Sequence, residues 1–275
     1  MAEEAHVAAA TRVGGLPMYI DNPAAVTALW LHLAARLRQR GLGPISDMPL
    51  WPQDYLAHWR DPTLLFTQAC GYPLVTALVH QVRVVGAFHY NVPGCDGAMC
   101  RSQVVVRATD PARALADFRG RRVAYNSTES QSGYNSLRAL VAPLVRDGVF
   151  FDSHLQTGSH QRSVIAVRDG QADIASIDCV SLAGLRKHVP AVTRGIRVLC
   201  ESDPYPGLPL ITSDSTDDAT LAALRGVVAD AVNDPNLAAL WQDLFITGFE
   251  PLDEAAYRSC SAMQDGALAL NYSAL

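Results

Sequence analysis

Asn126-Ser-Thr-Glu-Ser-Gln-Ser-Gly133 stands between the β-type run Arg122–Tyr125 and a segment in which Leu137, Leu140, Val141, Leu144 and Val145 recur at helical spacing. A short apolar run, a polar turn and a helix in direct succession form the basic unit of α/β architecture. The unit recurs on both sides. Downstream, Ser159 is placed to cap a helix over 160–169, Gly170 ends it, and Ala172–Ile177 reads as a buried strand stopping at Asp178. Upstream, Leu16–Ile20 reads as a strand. Asp21-Asn22-Pro23 then supplies a cap and a first-turn proline for a helix with Val26, Leu29, Trp30, Leu33 and Leu37 on one face, ended by Gly41 and Gly43.

The remaining elements follow the same grammar. Leu64–Thr67, Val82–Tyr90 and Ser102–Arg107 read as strands, Gly71-Tyr72-Pro73 opens a short helix, and Asp110-Pro111 is placed to cap a helix carrying Leu115 and Phe118. Thr193–Cys200 and Leu208–Thr212 read as strands leading back to the first half, and helices are predicted near 181–188, 217–231, 235–245 and 253–268. The pattern predicts two lobes. Residues 1–100 and 200–275 form one and residues 101–199 the other, because Ser102–Arg107 and Thr193–Cys200 are the strands placed to cross.

Bulk composition excludes several classes. At 275 residues and 49% hydrophobic content the chain can bury a sizeable core, and its apolar stretches are too short and too interrupted to cross a bilayer. No membrane insertion is expected. A formal net charge of -5 argues against a nucleic-acid partner, which would demand clustered Lys and Arg. Met1-Ala-Glu-Glu-Ala-His carries acids where a secretory leader would carry bases, so the sequence as it stands reads as cytoplasmic, and as periplasmic if a leader was trimmed. The six cysteines, Cys70, Cys95, Cys100, Cys179, Cys200 and Cys260, show no zinc-type pairing and read as dispersed, reduced thiols. Cys95 and Cys100 could bridge in an oxidising compartment. No metal, no cofactor and no nucleophile–base–orienter trio is expected.

Four turns place polar side chains at a strand end just before a helix: Tyr19–Asn22, Gly71–Pro73, Asn126–Ser132 and Gly158–His160. Helix N-termini attract anions through unpaired amides and the helix dipole. The third turn is the most specific, with hydroxyls at Ser127, Thr128, Ser130 and Ser132 expected beside free amides, and Gly133 allowing close backbone approach. Each feature also fits a plainer role. The serine-rich segment fits a capped, solvated turn, His160 a cap or surface residue, Asp178 a cap for the helix near 181–188, and Tyr19 and Tyr72 core aromatics.

Asn126–Gly133, Gly158-Ser-His160 and Ile165-Ala-Val-Arg-Asp-Gly-Gln-Ala-Asp-Ile-Ala-Ser-Ile-Asp178 together resemble the phosphate/phosphite/phosphonate substrate-binding proteins of ABC transporters. That resemblance, looser over Leu16–Phe249, implies a type II periplasmic-binding-protein fold, with mixed sheets flanked by helices and a ligand cleft between the lobes. It implies that Ser127, Thr128, Ser130, Ser132 and Gly133 surround a small tetrahedral oxyanion, with His160 and Asp178 facing it and Tyr19 and Tyr72 approaching from the first lobe. The implied partners are that oxyanion and an ABC permease. The sequence as it stands is expected to depart from the family in lacking a leader, and it carries Asp178 where some members have an amide. Two alternatives share the binding residues: an enzyme on the same fold, using His160, Asp178 and Cys179, and a cytoplasmic anion sensor.

Overall fold

The computed structural model describes residues 11–19 and 21–275. Two five-stranded mixed sheets carry the architecture. The first runs in the order Val13–Gly15, Leu64–Gln68, Leu210–Ser213, Val82–Tyr90, Ile246–Glu250, with its first pair parallel and the rest antiparallel. The second runs Ile196–Glu201, Ser102–Arg107, Ile174–Asp178, Arg122–Tyr125, Ser153–Gln156, with two antiparallel pairings followed by two parallel ones. Each sheet has its own core. Trp30, Phe66 and Phe88 fill the first, while Phe118, Phe150 and Phe151 fill one face of the second, whose other face packs Val105, Val164 and Leu182.

The chain passes between the sheets twice, through residues 91–101 and 202–209. These crossovers run side by side: Ser202 N donates to Ser102 O at 2.9 Å, Ser102 N donates to Ser202 Oγ at 2.9 Å, and the hydroxyls of Ser102 and Tyr205 lie 2.6 Å apart. A small sheet of Tyr205–Pro206, Met99–Cys100 and Cys95–Asp96 ties them together.

Local sequence accounts for most boundaries. Asn22 accepts from Ala25 N at 3.2 Å and caps Pro23–Gln39, whose face of Leu29, Trp30, Leu33 and Leu37 is buried. Where expectation and structure part, the reasons are physical. The first strand is Val13–Gly15 rather than Leu16–Ile20, since Pro17, lacking an amide, turns the chain away; Ile20 lies outside the described residues. Pro190 starts a short helix, Pro190–Thr193, so the next strand begins at Ile196 instead of Thr193. Pro209 delays the strand expected from Leu208 to Leu210. Asp110 does not cap the turn Leu115–Phe118: its carboxylate accepts from Ala112 N and Arg121 Nη1, and Asp117 takes the amides of Arg113 and Ala114.

The C-terminal helix, Arg258–Ala269, spans the two cores instead of staying with the first. Cys260 joins the first cluster, whereas Ala267, Tyr272 and Leu275 join the second, where Arg138 Nη1 donates to Ser273 O at 2.9 Å. The thiols are not dispersed, contrary to expectation: Cys95, Cys100 and Cys179 converge, because the crossover hairpin abuts the helix Cys179–His188.

Candidate anion-binding cleft

The signature segment folds around its own hydroxyls. Ser127 Oγ accepts from Glu129 N at 3.2 Å, Ser130 N donates to Ser127 O at 3.1 Å, and Ser130 Oγ accepts from Gly133 N at 2.9 Å. Ser130 thereby caps a single π-turn, Gln131–Asn135, that feeds the helix Ser136–Val141. Such turns interrupt helices where a backbone is being re-aimed. Gln131 N is also engaged, donating to Cys70 Sγ at 3.2 Å. The amides of residues 129, 130, 131 and 133, expected to be free, are therefore used within the protein. A serine whose oxygen accepts an amide still has its O–H to donate, so hydroxyls are the donors left for a ligand.

The neighbouring helix repeats this arrangement. Gly158, at a φ of +85°, turns the chain, and Ser159 Oγ accepts from Arg162 N at 3.2 Å to cap His160–Arg168. His160 Nε2 lies 2.9 Å from Ser132 Oγ, while Nδ1 is sealed from solvent without a hydrogen-bond partner. Burial holds the imidazole down to about 4, so it is neutral at pH 7. Asp178 ends its strand with a side chain only 5% exposed and accepts from Ser181 N at 2.8 Å as the cap of Cys179–His188. Burial first, then the nearby Cys179, push its carboxyl up to about 7. The cap expected for this residue is real, and it does not remove Asp178 from the cleft.

These groups meet in a cavity of about 220 Å³ between the two sheets. Of the expected residues, Tyr19, Ser127, Ser130, Ser132, His160 and Asp178 line it. Tyr19 Oη is buried without a partner, its ring edge-on to Tyr90 at 5.5 Å. Three expected contacts lie off the wall. Thr128 is exposed. Tyr72 is turned toward Arg138, which stacks over its ring at 5.7 Å. Gly133 sits behind the wall, where a Cβ would come within 1.9 Å of Asn126 Oδ1 and 3.3 Å of His160 Cε1.

Sequence reasoning missed Asp21, Asn126, Glu129, Ser159 and Ser181 as lining residues. Asp21, Asn126, Glu129 and Ser159 belong to turns already singled out, and Ser181 follows Asp178 at the spacing of an amide-capping partner, so a signal existed for all five. No lysine or arginine lines the cavity, whereas Asp21, Glu129 and Asp178 do. Burial raises Asp21 to about 6. Cys179 makes its contact with Cys95 rather than with the cavity.

Two α/β lobes joined by two crossovers that run side by side, with a hydroxyl-lined cleft between the lobes, give the architecture of a solute-binding protein. The chain belongs to the periplasmic substrate-binding proteins of phosphonate ABC transporters, whose family model matches residues 68–257. These are binding components of transporters, not enzymes. No curated protein sequence matches the chain. A binding-protein component of an ABC phosphonate transporter from Pseudomonas aeruginosa superposes with a TM-score of 0.75 at 16% identity, covering 95% of this chain and 87% of that one. PhnD1 from Prochlorococcus marinus, in complex with methylphosphonate, gives 0.72 at 14% identity over 93% and 97%. XAC2383 from Xanthomonas citri, bound to ATP, gives 0.68 at 17% identity over 95% and 98%. At these identities the likeness is one of fold. No helix among the described residues is long and apolar enough to cross a membrane.

Proposed function

We propose that the cavity takes a small tetrahedral oxyanion, phosphate, phosphite or a phosphonate, and that phosphonates carrying an ammonium group are the preferred class. The observation that carries this reading is the composition of the wall: serine hydroxyls with O–H to spare on one side, and Asp21, Glu129 and Asp178 with no lysine or arginine among the described lining residues. Hydroxyls satisfy the oxygens of a phosphonyl group. Carboxylates repel a bare dianion but accept from a P–OH or an ammonium. Ser127, Ser130, Ser132 and His160 are the groups proposed for the oxyanion, with Tyr19 reaching it from the other side. Asp178 acts as the selectivity filter.

On either side of the crossovers, one lobe is residues 11–90 and 210–257 and the other 102–201, with 258–275 fastened across both. They close on the ligand by hinge motion, and the closed form is presented to an ABC permease at the outer face of the membrane. The test is titration calorimetry with 2-aminoethylphosphonate, methylphosphonate, phosphate and sulfate. The aminophosphonate should bind tightest and sulfate should be excluded, while Asp178→Asn, whose amide can donate as well as accept, should narrow that gap. Tight sulfate binding by the unmodified protein, or an unchanged ranking in Asp178→Asn, overturns the reading.

A further inference from the structure

Three cysteines meet where the chain crosses between lobes. Cys95 and Cys100 face each other across the two short strands of the first crossover, and Cys179 opens the helix Cys179–His188 of the second lobe. Cys95 Sγ lies 3.3 Å from Cys100 Sγ and 3.3 Å from Cys179 Sγ, and all three sulfurs fall within 4.8 Å of one another. The approach is shaped by the backbone. Gly94, at a φ of +100°, brings the hairpin so close that a Cβ there would stand 3.0 Å from Cys179 Cβ. A side chain at 94 would thus push the hairpin off Cys179.

A disulfide uses two sulfurs and leaves the third without purpose, although Cys179 is as near to Cys95 as Cys100 is. Among the described residues, no histidine or carboxylate completes the group to four ligands. Zinc in structural sites takes four, whereas a soft cation is satisfied by a small set of thiolates. We propose that Cys95, Cys100 and Cys179 form a three-thiolate site for a soft, thiophilic metal ion of the cuprous class. Cys100 and Cys179 are buried, and half-buried Cys95 provides the way in. On binding, each thiol still protonated gives its proton to solvent, three sulfur–metal bonds form, and the ion stays in its oxidation state. The sequence alone does not show the site, because 79 positions of numbering separate Cys100 from Cys179 and only the topology joins them.

The test uses the full, reduced chain titrated with Cu(I) against a coloured Cu(I) chelator, with native mass spectrometry of the product. One ion per chain should be withdrawn from the chelator, and Cys95→Ser, Cys100→Ser and Cys179→Ser should each weaken retention on the order of 100-fold. Cys200→Ser, half-buried on Ile196–Glu201 outside the cluster, should change nothing. Thermal melts identify any variant that fails to fold, and Cys95→Ser, the least buried of the three, keeps the test decisive. Four results overturn the proposal: no copper held against the chelator, equal retention by Cys95→Ser or Cys179→Ser, equal retention of Zn(II), or a copper-free product two hydrogens lighter, which is a disulfide. Anion affinity is measured separately, so failure here leaves the proposed ligand untouched.

Discussion

The two walls of the cleft are built by different means. On the second lobe, Ser127, Ser130 and Ser159 each hold a backbone amide with the oxygen that faces the cavity, so the fold itself fixes their positions. On the first lobe, Tyr19 is held by packing against Tyr90, and its hydroxyl is buried with nothing to bond. One wall has its serine oxygens engaged before a ligand arrives, even though His160 Nδ1 and Asn126 Oδ1 on it are unpartnered, and the other is held by packing with its hydroxyl in reserve. Preorganised donors bind without an ordering cost, while unsatisfied ones gain most when a partner reaches them.

The largest effects should come from the serine wall. Ser130→Ala and Ser132→Ala should each weaken oxyanion binding by about 1.5–3 kcal/mol, the range for hydrogen bonds to charged groups. The pair also separates cap from contact. Denaturant unfolding should show Ser130→Ala losing about 1 kcal/mol of stability with its cap, and Ser132→Ala losing less. Equal losses would mean that the hydroxyls are not dividing these tasks.

His160 supplies the pH dependence. Its folded-state value of about 4 lies below the unfolded 6.5, so the stability it contributes is fully present above 6.5 and is lost as pH falls through 4. Linkage sets that loss at about 3 kcal/mol at most. His160→Gln should remove this segment of the stability curve, and a variant that follows the wild type between pH 7 and 4 would show an imidazole open to protons.

Gly133→Ala tests how tightly the serine wall is backed, because the new methyl collides with Asn126 Oδ1. About 2 kcal/mol of stability should go, and most of it should return in the double variant with Asn126→Ala, since the two sites touch. Additive losses in unfolding experiments would place the strain elsewhere. The smallest effect belongs to the wall held in reserve: Tyr19→Phe should leave folding unchanged or slightly improved, yet cost about 1 kcal/mol in calorimetric affinity. A clear loss of folding stability would mean that the hydroxyl already has a partner.

What could be read from the sequence follows the range of the forces involved. Val82–Tyr90, Ser102–Arg107 and Arg122–Tyr125 form as expected, because apolar runs punctuated by Gly, Asn and Asp are decided locally. The caps at Asn22, Ser159 and Asp178 were legible for the same reason. Direction across the cleft was not. Thr128 and Tyr72 sit in the expected turns but off the cavity wall: Thr128 is exposed, and Tyr72 is turned toward Arg138, 66 residues further along the chain. The C-terminal helix could not be assigned to one lobe from its periodicity, since Cys260 and Ala267 face different cores.

The absence of lysine and arginine among the described residues of the cavity also governs how a ligand is caught. A chain of net charge -5, with carboxyls lining its cleft, offers an incoming anion no long-range attraction. Encounter is therefore slower than in clefts lined with Lys or Arg, and affinity must reside in slow escape from the closed form. Added salt screens the repulsion, so association should quicken with ionic strength, the reverse of what a cationic anion trap would do.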